Sequence, residues 1–180
     1  CTISGNSSAW DGGGVYCADS SPTLTNCTIS GNYSAWDGGG VYCDAADSSP
    51  TLESCIVWDN FGGSFGGATE SSPHVSFSCI ERDEVWPGEG NINQDPLFVR
   101  SGEWVDCGSP EDPLCIAYQW NPDTGEPTAW HRWVPGDYHL PPGSPCIDAG
   151  TSEGAPTTDI EGNARPCGAG VDMGAYEFGD

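Results

Sequence analysis

The sequence predicts an all-β chain wound as a right-handed parallel β-helix, a solenoid, with an irregular, disulfide-containing C-terminal part. The first observation is a tandem duplication. Cys1-Thr-Ile-Ser-Gly-Asn6 returns as Cys27-Thr-Ile-Ser-Gly-Asn32, and Ser8-Ala-Trp-Asp-Gly-Gly-Gly-Val-Tyr-Cys17 returns as Ser34-Ala-Trp-Asp-Gly-Gly-Gly-Val-Tyr-Cys43, a period of 26 residues. Repeats of this length stack, each burying its apolar side against the next. The second is that neither copy places apolar residues three and four apart, as helical repeats must. The third is what each copy holds instead: short alternating runs separated by Gly, Asn, Asp, Ser and Pro, which read as three strands and three bends.

In chain order, Cys-Thr-Ile-Ser, Gly-Val-Tyr-Cys and Thr-Leu-Thr-Asn are the three strands of a rung. Alternation puts Val15, Cys17, Leu24, Cys27 and Ile29 inward and Tyr16, Thr25 and Thr28 outward. Copies then stack at roughly 4.8 Å, the inter-strand spacing. Asn6, Asn32 and Asn60 fall at one bend and are expected to form an inward amide ladder. The third copy, from Cys55, keeps Cys-Ile-Val-Trp-Asp-Asn60 but replaces the Trp-Asp-Gly-Gly-Gly bend. The chain divides as one domain: regular rungs over 1–79, a last rung over 80–100, a Trp-rich insertion over 101–136, and C-terminal strands and cap over 137–180. It begins in mid-repeat, as a mature or partial fragment would. Cys1 also resembles a lipoprotein cysteine, although its match to Cys27 favours a repeat position.

The chain carries 27 acidic residues against four arginines and no lysine, a formal charge of -23. That argues against nucleic-acid partners and against anionic membranes. No apolar run is long enough for a membrane span. Ten cysteines in an acidic chain favour an oxidising setting, extracellular or at the cell surface. Cys1, Cys27 and Cys55 are repeat-equivalent, as are Cys17 and Cys43. They are either rung-to-rung disulfides or a stacked ladder of buried thiols. The ladder is favoured because interior side chains stack parallel. Cys79 ends the third repeat one residue late. Cys107 with Cys115 and Cys146 with Cys167 lie outside the repeats and are expected to be disulfides. Zinc is the weaker reading, since no CxxC occurs and the three histidines are scattered.

Asn91-Ile-Asn-Gln-Asp-Pro-Leu-Phe98, Asp137-Tyr-His-Leu140, Ser144-Pro-Cys-Ile-Asp-Ala-Gly150, Asp159-Ile-Glu-Gly-Asn-Ala-Arg-Pro166 and Asp172-Met-Gly-Ala-Tyr-Glu177 resemble the C-terminal region of bacterial right-handed parallel β-helix surface proteins of the choice-of-anchor Q type. The Gly-Gly-Gly-Val-Tyr-Cys units are similar to the repeats of the same proteins. The resemblance covers the chain except for about 101–136. It implies a secreted or surface-anchored β-helix with no established catalytic set, in which an anchor often follows the final Gly-Ala-Tyr-Glu.

Three kinds of site are open. Asp11 and Asp37 are repeat-equivalent, and stacked carboxylates are hard oxygen ligands that could hold calcium; solvated bends are the plainer reading. The C-terminal acids Asp95, Asp148, Asp159 and Asp172 sit beside Pro or Gly, where turn-forming bonds to the backbone explain them. Trp10 and Trp36 are expected to stack at one outer bend beside Tyr33, with Trp58 projecting outward and Trp104, Trp120, Trp130 and Trp133 in the insertion. Such rings could form an extracellular glycan platform or contact another subunit; alternatively the insertion folds over the flank and its tryptophans make a satellite core. Enzymology comes third. A lyase needs a basic proton acceptor, and only Arg82, Arg100, Arg132 and Arg165 exist, all outside the clear repeats. No catalytic residue is assigned and no cofactor is required. The expected role is a structural surface solenoid, self-associating head to tail into a filament through the first strand and strands around Val171–Phe178; the alternative is a carbohydrate-binding module.

Overall fold

The computed structural model describes residues 1–44, 47–67, 72–108, 111, 113, 115–120, 124 and 127–179, with 117–120 and 127–128 as backbone. Twelve short strands wind the coil. The first rung holds β1 (Thr2–Ser4), β2 (Ser7–Ser8), β3 (Val15–Cys17) and β4 (Thr23–Thr25). The second holds β5 (Thr28–Ser30), β6 (Tyr33–Ser34), β7 (Val41–Cys43) and β8 (Thr51–Glu53). The third holds β9 (Ile56–Trp58), β10 (Phe65–Gly67) and β11 (His74–Ser76), and β12 (Cys79–Ile80) opens the next turn. Four parallel sheets result, ordered β1-β5-β9-β12, β3-β7-β10, β4-β8-β11 and the two-stranded β2-β6.

Register is in step with the duplication: Ile3 pairs Ile29 and Val57, Val15 pairs Val41 and Phe65, and Leu24 pairs Leu52 and Val75. Ile29, Val41, Leu52 and Val57 are fully buried, and Ile3, Val15 and Leu24 pack half-covered against them. The expected inward rows are therefore the core. The bends recur in register too. Asn26, Ser54 and Phe77 all turn the same corner at positive φ, as do Gly5, Gly31 and Asp59 at the next. The amide ladder forms: Asn6 Nδ2 donates to Asn32 Oδ1 at 2.9 Å, Asn32 Nδ2 to Asn60 Oδ1 at 2.9 Å, and Asn60 Nδ2 to Ile29 O at 2.9 Å. The side-chain N–H of each amide is thereby satisfied by a neighbouring rung, the following one for Asn6 and Asn32 and the preceding one for Asn60.

The expected insertion boundary is closed by a reciprocal backbone pair, Arg100 N to Asp137 O at 3.0 Å and Asp137 N to Arg100 O at 2.7 Å. Between them lies an antiparallel sheet of β13 (Glu103–Asp106), β14 (Ile116–Trp120) and β15 (Pro127–Val134), with β15 central. The Cys107–Cys115 disulfide ties the link from β13 to β14.

Residues 137–179 hold no regular strand, contrary to the expected C-terminal strands, and they lie along the flank of the coil. They cover the outward side of the β1-β5-β9-β12 sheet as a lid. Gly174 N donates to Ser54 O at 2.8 Å, Ala175 N to Thr28 Oγ1 at 3.0 Å, and Asn26 Nδ2 to Asp172 O at 2.9 Å. Under the lid a second core gathers Ile56, Cys79, Leu140, Cys146 and Met173. Val171–Phe178 is thus committed to the flank and offers no free strand edge.

Inside the lid the Arg165 guanidinium is buried. It donates to Asp172 O and Gly174 O and lies 3.5 Å from the Glu177 carboxylate. The acidic side chains serve backbone N–H groups, as expected. Asp172 accepts from Asp148 and Phe178, Asp159 from Glu161 and Asn163, Asp148 from Gly170, and Asp95 from Leu97. Burial raises the carboxyls of Asp172 and Glu177 and lowers Arg165.

The expected Cys146–Cys167 disulfide is corrected. Cys146 is a fully buried thiol under the lid, while Cys167 is an exposed one beside the Gly179 carbonyl, and no disulfide joins them. Burial of one thiol and exposure of the other keep the two apart. The repeat cysteines are free and stacked, the expected ladder, with Cys1 and Cys27 sulfurs 3.3 Å apart.

Candidate functional site

The exposed bend between β2 and β3, repeated between β6 and β7, carries the aromatic candidates. Its shape follows from Ser-Ala-Trp-Asp-Gly-Gly-Gly. Ser8 Oγ accepts from Trp10 N at 3.2 Å and donates to Asp11 O at 3.0 Å. The second copy repeats this with Ser34, Trp36 N at 3.4 Å and Asp37 O at 2.8 Å. Ser34 Oγ also lies 2.7 Å from Trp10 O, joining the two bends. Each hydroxyl closes a small turn and aims its tryptophan outward. The glycines bring the backbones together: a Cβ at Gly13 would overlap the Tyr33 carbonyl, and one at Gly39 the Phe61 carbonyl.

Trp10 and Trp36 are each 71% exposed, with ring centroids 6.2 Å apart and planes 31° from parallel. Beside them Tyr16 and Tyr42 stack at 5.3 Å, their rings against the positions where Gly12 and Gly38 lack side chains. Sequence reasoning put Tyr16 outward but did not join it to this bend; the repeated outward Tyr in Val-Tyr-Cys was the signal. Burial first, then the carboxylates of Asp11, Asp44 and Asp37, hold the Tyr42 phenol above its ordinary value, so it remains a hydrogen-bond donor. The surface is a two-rung strip of flat rings edged by carboxylates.

Tyr33 does not belong to that strip. It is buried and stacks on Phe61 at 4.9 Å. Asp37 spends both carboxylate oxygens on backbone, accepting from Gly38 N at 2.9 Å and Gly67 N at 3.3 Å. Among the described residues, no group of three or more His, Cys, Asp or Glu side chains is gathered as a metal site. Asp11 lies near the Tyr42 ring.

The insertion places Trp104 and Trp133 against the coil. Trp133 covers Gly5, Gly31 and Gly102, where any Cβ would overlap its ring. Trp104 donates from Nε1 to Gly31 O at 2.9 Å and packs on Trp133 at 5.2 Å. Trp130 is half-buried, and Trp58 packs half-buried under the lid. The side chain of Trp120 lies outside the described residues.

The described residues 1–90 thus contain the whole regular coil and the aromatic strip. The sequence model of the right-handed beta helix region matches residues 1–90, half of the chain. The chain belongs to the right-handed β-helix family. No curated protein and no solved structure matches it.

Elsewhere on this β-helix, two arginines considered as proton acceptors are engaged with backbone or ring. Arg82 lies 4.7 Å over Trp86, and Arg100 donates to Pro135 O at 3.2 Å. Arg165 is the buried guanidinium of the lid. A separate polar cluster sits where the insertion meets the lid. His139 Nδ1 is 2.6 Å from Asp137 Oδ1, its Nε2 is 3.0 Å from Glu161 Oε2, and its ring packs on Tyr176 at 4.2 Å. Hydrogen bonds to Asp137 and then Glu161 raise the imidazole above its ordinary value.

Proposed function

We propose that the chain is an extracellular or cell-surface β-solenoid, of the choice-of-anchor Q type, whose aromatic strip contacts a glycan. The observation that carries this is the Trp10–Trp36 pair, stacked in register and left 71% exposed in both copies. Exposed rings in a row cost free energy in water unless something covers them. Flat apolar rings match the C–H faces of successive sugar units, and Tyr phenols with flanking Asp carboxylates supply donors and acceptors for hydroxyls. A formal charge of -23 repels polyanions, so the glycan in this reading is neutral.

The test is calorimetric titration of the chain with neutral oligosaccharides of increasing length. Affinity should rise as the chain grows long enough to span both tryptophans. Trp10→Ala or Trp36→Ala should each weaken binding by about fivefold, since ring stacking contributes on the order of 1 kcal/mol. Unchanged affinity in the double variant would sink the reading.

Self-association into a filament is the second reading, favoured by one observation. The strands β1, β3 and β4 pair on one side alone, and so do β10 and β11 at the other end of the coil. Complementary strand edges at two ends fit head-to-tail addition. Over β12 the contact would have to displace the chain's own residues, since Ile80 N already donates to Ile92 O at 2.9 Å. Sedimentation at increasing concentration tests it; a single monomeric species throughout would refute it.

A further inference from the structure

The fourth turn of the coil breaks the cysteine pattern by one residue. Cys1, Cys27 and Cys55 occupy the position just before β1, β5 and β9. The equivalent position before β12 is Ser78, whose hydroxyl accepts from Cys55 N at 2.9 Å. Cys79 itself pairs with Ile56, in the row of Thr2 and Thr28. That row faces out of the coil, so Cys79 faces the lid. Cys146 faces it from the lid. Its carbonyl is fixed by Met173 N at 3.0 Å and its amide by Ser144 Oγ at 3.3 Å. Both thiols are fully buried in one cluster with Ile56, Leu140 and Met173, and the Cys79 thiol donates to Gln94 O at 3.1 Å.

The arrangement differs from that of the repeat cysteines. Cys17 and Cys43 project from neighbouring in-register strands in the same direction, which suits a ladder. Cys79 and Cys146 come from two facing surfaces, coil and lid, that bury them in one cluster, so a bond between them would join the two surfaces rather than neighbouring rungs. The chain also holds one cysteine pair as a disulfide, Cys107–Cys115. The hydrogen bonds from lid to coil named above are all noncovalent.

We propose that Cys79 and Cys146 are a disulfide pair that staples the lid to the outer face of the coil. Forming the bond removes two protons and two electrons from the two thiols. A small-molecule disulfide such as oxidised glutathione accepts them: its S–S bond breaks, Cys146 or Cys79 holds a mixed disulfide, the other thiolate attacks, and two glutathione thiols leave. Burial of both sulfurs places this exchange during folding, before the lid closes. The bond spans 67 residues of sequence, and closing a loop of that size favours the folded state on the order of a thousandfold in the chain-entropy account.

Peptide mapping tests the pair. The full chain is unfolded with reductant, refolded in mixed reduced and oxidised glutathione, alkylated, and cleaved after Glu and Asp without reduction. The sequence then releases Ser71–Glu81, Tyr138–Asp148 and Gly162–Asp172, each with a single cysteine. The first two should appear joined, with a mass two hydrogens below their sum, and separate on reduction. Recovery of both as alkylated free thiols overturns the proposal, and so does a Tyr138–Asp148 peptide joined to Gly162–Asp172. Chain isolated directly from an oxidising compartment, mapped without refolding, gives the same decision if refolding fails. The Cys167→Ser variant should leave the bridge intact. Wild type should unfold at higher denaturant than Cys79→Ser in oxidising buffer, with the gap closing in reductant.

Discussion

The first and second rungs share their sequence over Cys-Thr-Ile-Ser-Gly-Asn and Ser-Ala-Trp-Asp-Gly-Gly-Gly-Val-Tyr-Cys, yet they are buried differently. Thr28, Ile29 and Ser30 are at or below 1% exposure, while Thr2, Ile3 and Ser4 are half-buried. Val41 is fully buried and Val15 is not. Identical residues have one neighbouring rung in the first copy and two in the second. The lid adds the rest, since Ala175 bonds to Thr28 and Gly174 to Ser54. In a stack, then, burial at a given residue is a property of its place as much as of its type. The exception instructs most: Trp10 and Trp36 are 71% exposed in both copies. Stacking does not cover them, so packing does not explain them.

The largest test of this contrast is a pair of cavity variants. Ile29→Ala should cost about 2–5 kcal/mol, because it removes a fully buried side chain between two rungs. Ile3→Ala, at the same repeat position, should cost less than half as much. Denaturant unfolding of the two measures the ratio directly. Equal costs would mean that the first rung is as well covered as the second.

A smaller effect is expected from the amide ladder. Asn32 donates to Asn60 and to Ile3 O, and accepts from both Asn6 N and Asn6 Nδ2. Asn32→Ala strands buried partners on both sides and should cost about 1–3 kcal/mol. Asn6 is exposed and has a partner rung on one side only, so Asn6→Ala should cost well under that. Thermal melts of both would rank them.

The inward rows and the ladder were legible because duplication prints register into the sequence: residues 26 apart must stack. The Cys107–Cys115 bridge was legible from its short loop. The lid was not. Its signal was present in Ile56-Val57-Trp58 and Cys79-Ile80, where consecutive apolar residues leave no polar face and so require cover on both sides. The slip of Cys79 pointed the same way, because one residue moves a side chain to the opposite face of a strand. The docking of Trp133 was less accessible, since its partners are Gly5 and Gly31, and a missing side chain carries no complementary pattern. The insertion's Trp104 and Trp133 pack inward for that reason, whereas Trp10 and Trp36 at the bend stay exposed.

Next in size is the exposed pair. Trp10→Ala and Trp36→Ala should each change stability by no more than about 0.5 kcal/mol, as surface substitutions do. Here the two rungs should behave alike, unlike the isoleucines. A stability loss at Trp36 several times that at Trp10 would return the pair to a packing role and weaken the glycan reading.

The smallest expected effect concerns the lid that separates the rungs. His139 joins Asp137 at the base of the insertion to Glu161 of the lid, with Tyr176 against its ring and Arg100 near Asp137. The imidazole is raised from 6.5 by its hydrogen bonds to Asp137 and Glu161. A raised value favours the protonated form in the fold, so this contribution is complete below about 6.5 and is lost as pH rises through the higher folded value. Asp137 is lowered from 3.8, chiefly by its hydrogen bond to His139. Its contribution is present above its ordinary value and is lost as pH falls through the depressed one. The clamp is therefore strongest between the two ordinary values and loosens first on the alkaline side. His139 is 43% exposed, so solvent screening keeps the effect to a fraction of a kcal/mol, on the order of a surface pair. Amide exchange locates it. Raising the pH past the His139 transition should speed the intrinsic-rate-corrected exchange of Ala175, whose N–H is held by Thr28 of the second rung. The corrected rate at Val15 in the first rung should stay constant, and His139→Gln should abolish the difference. Equal acceleration at Ala175 and Val15 would show that the lid does not set the two rungs apart.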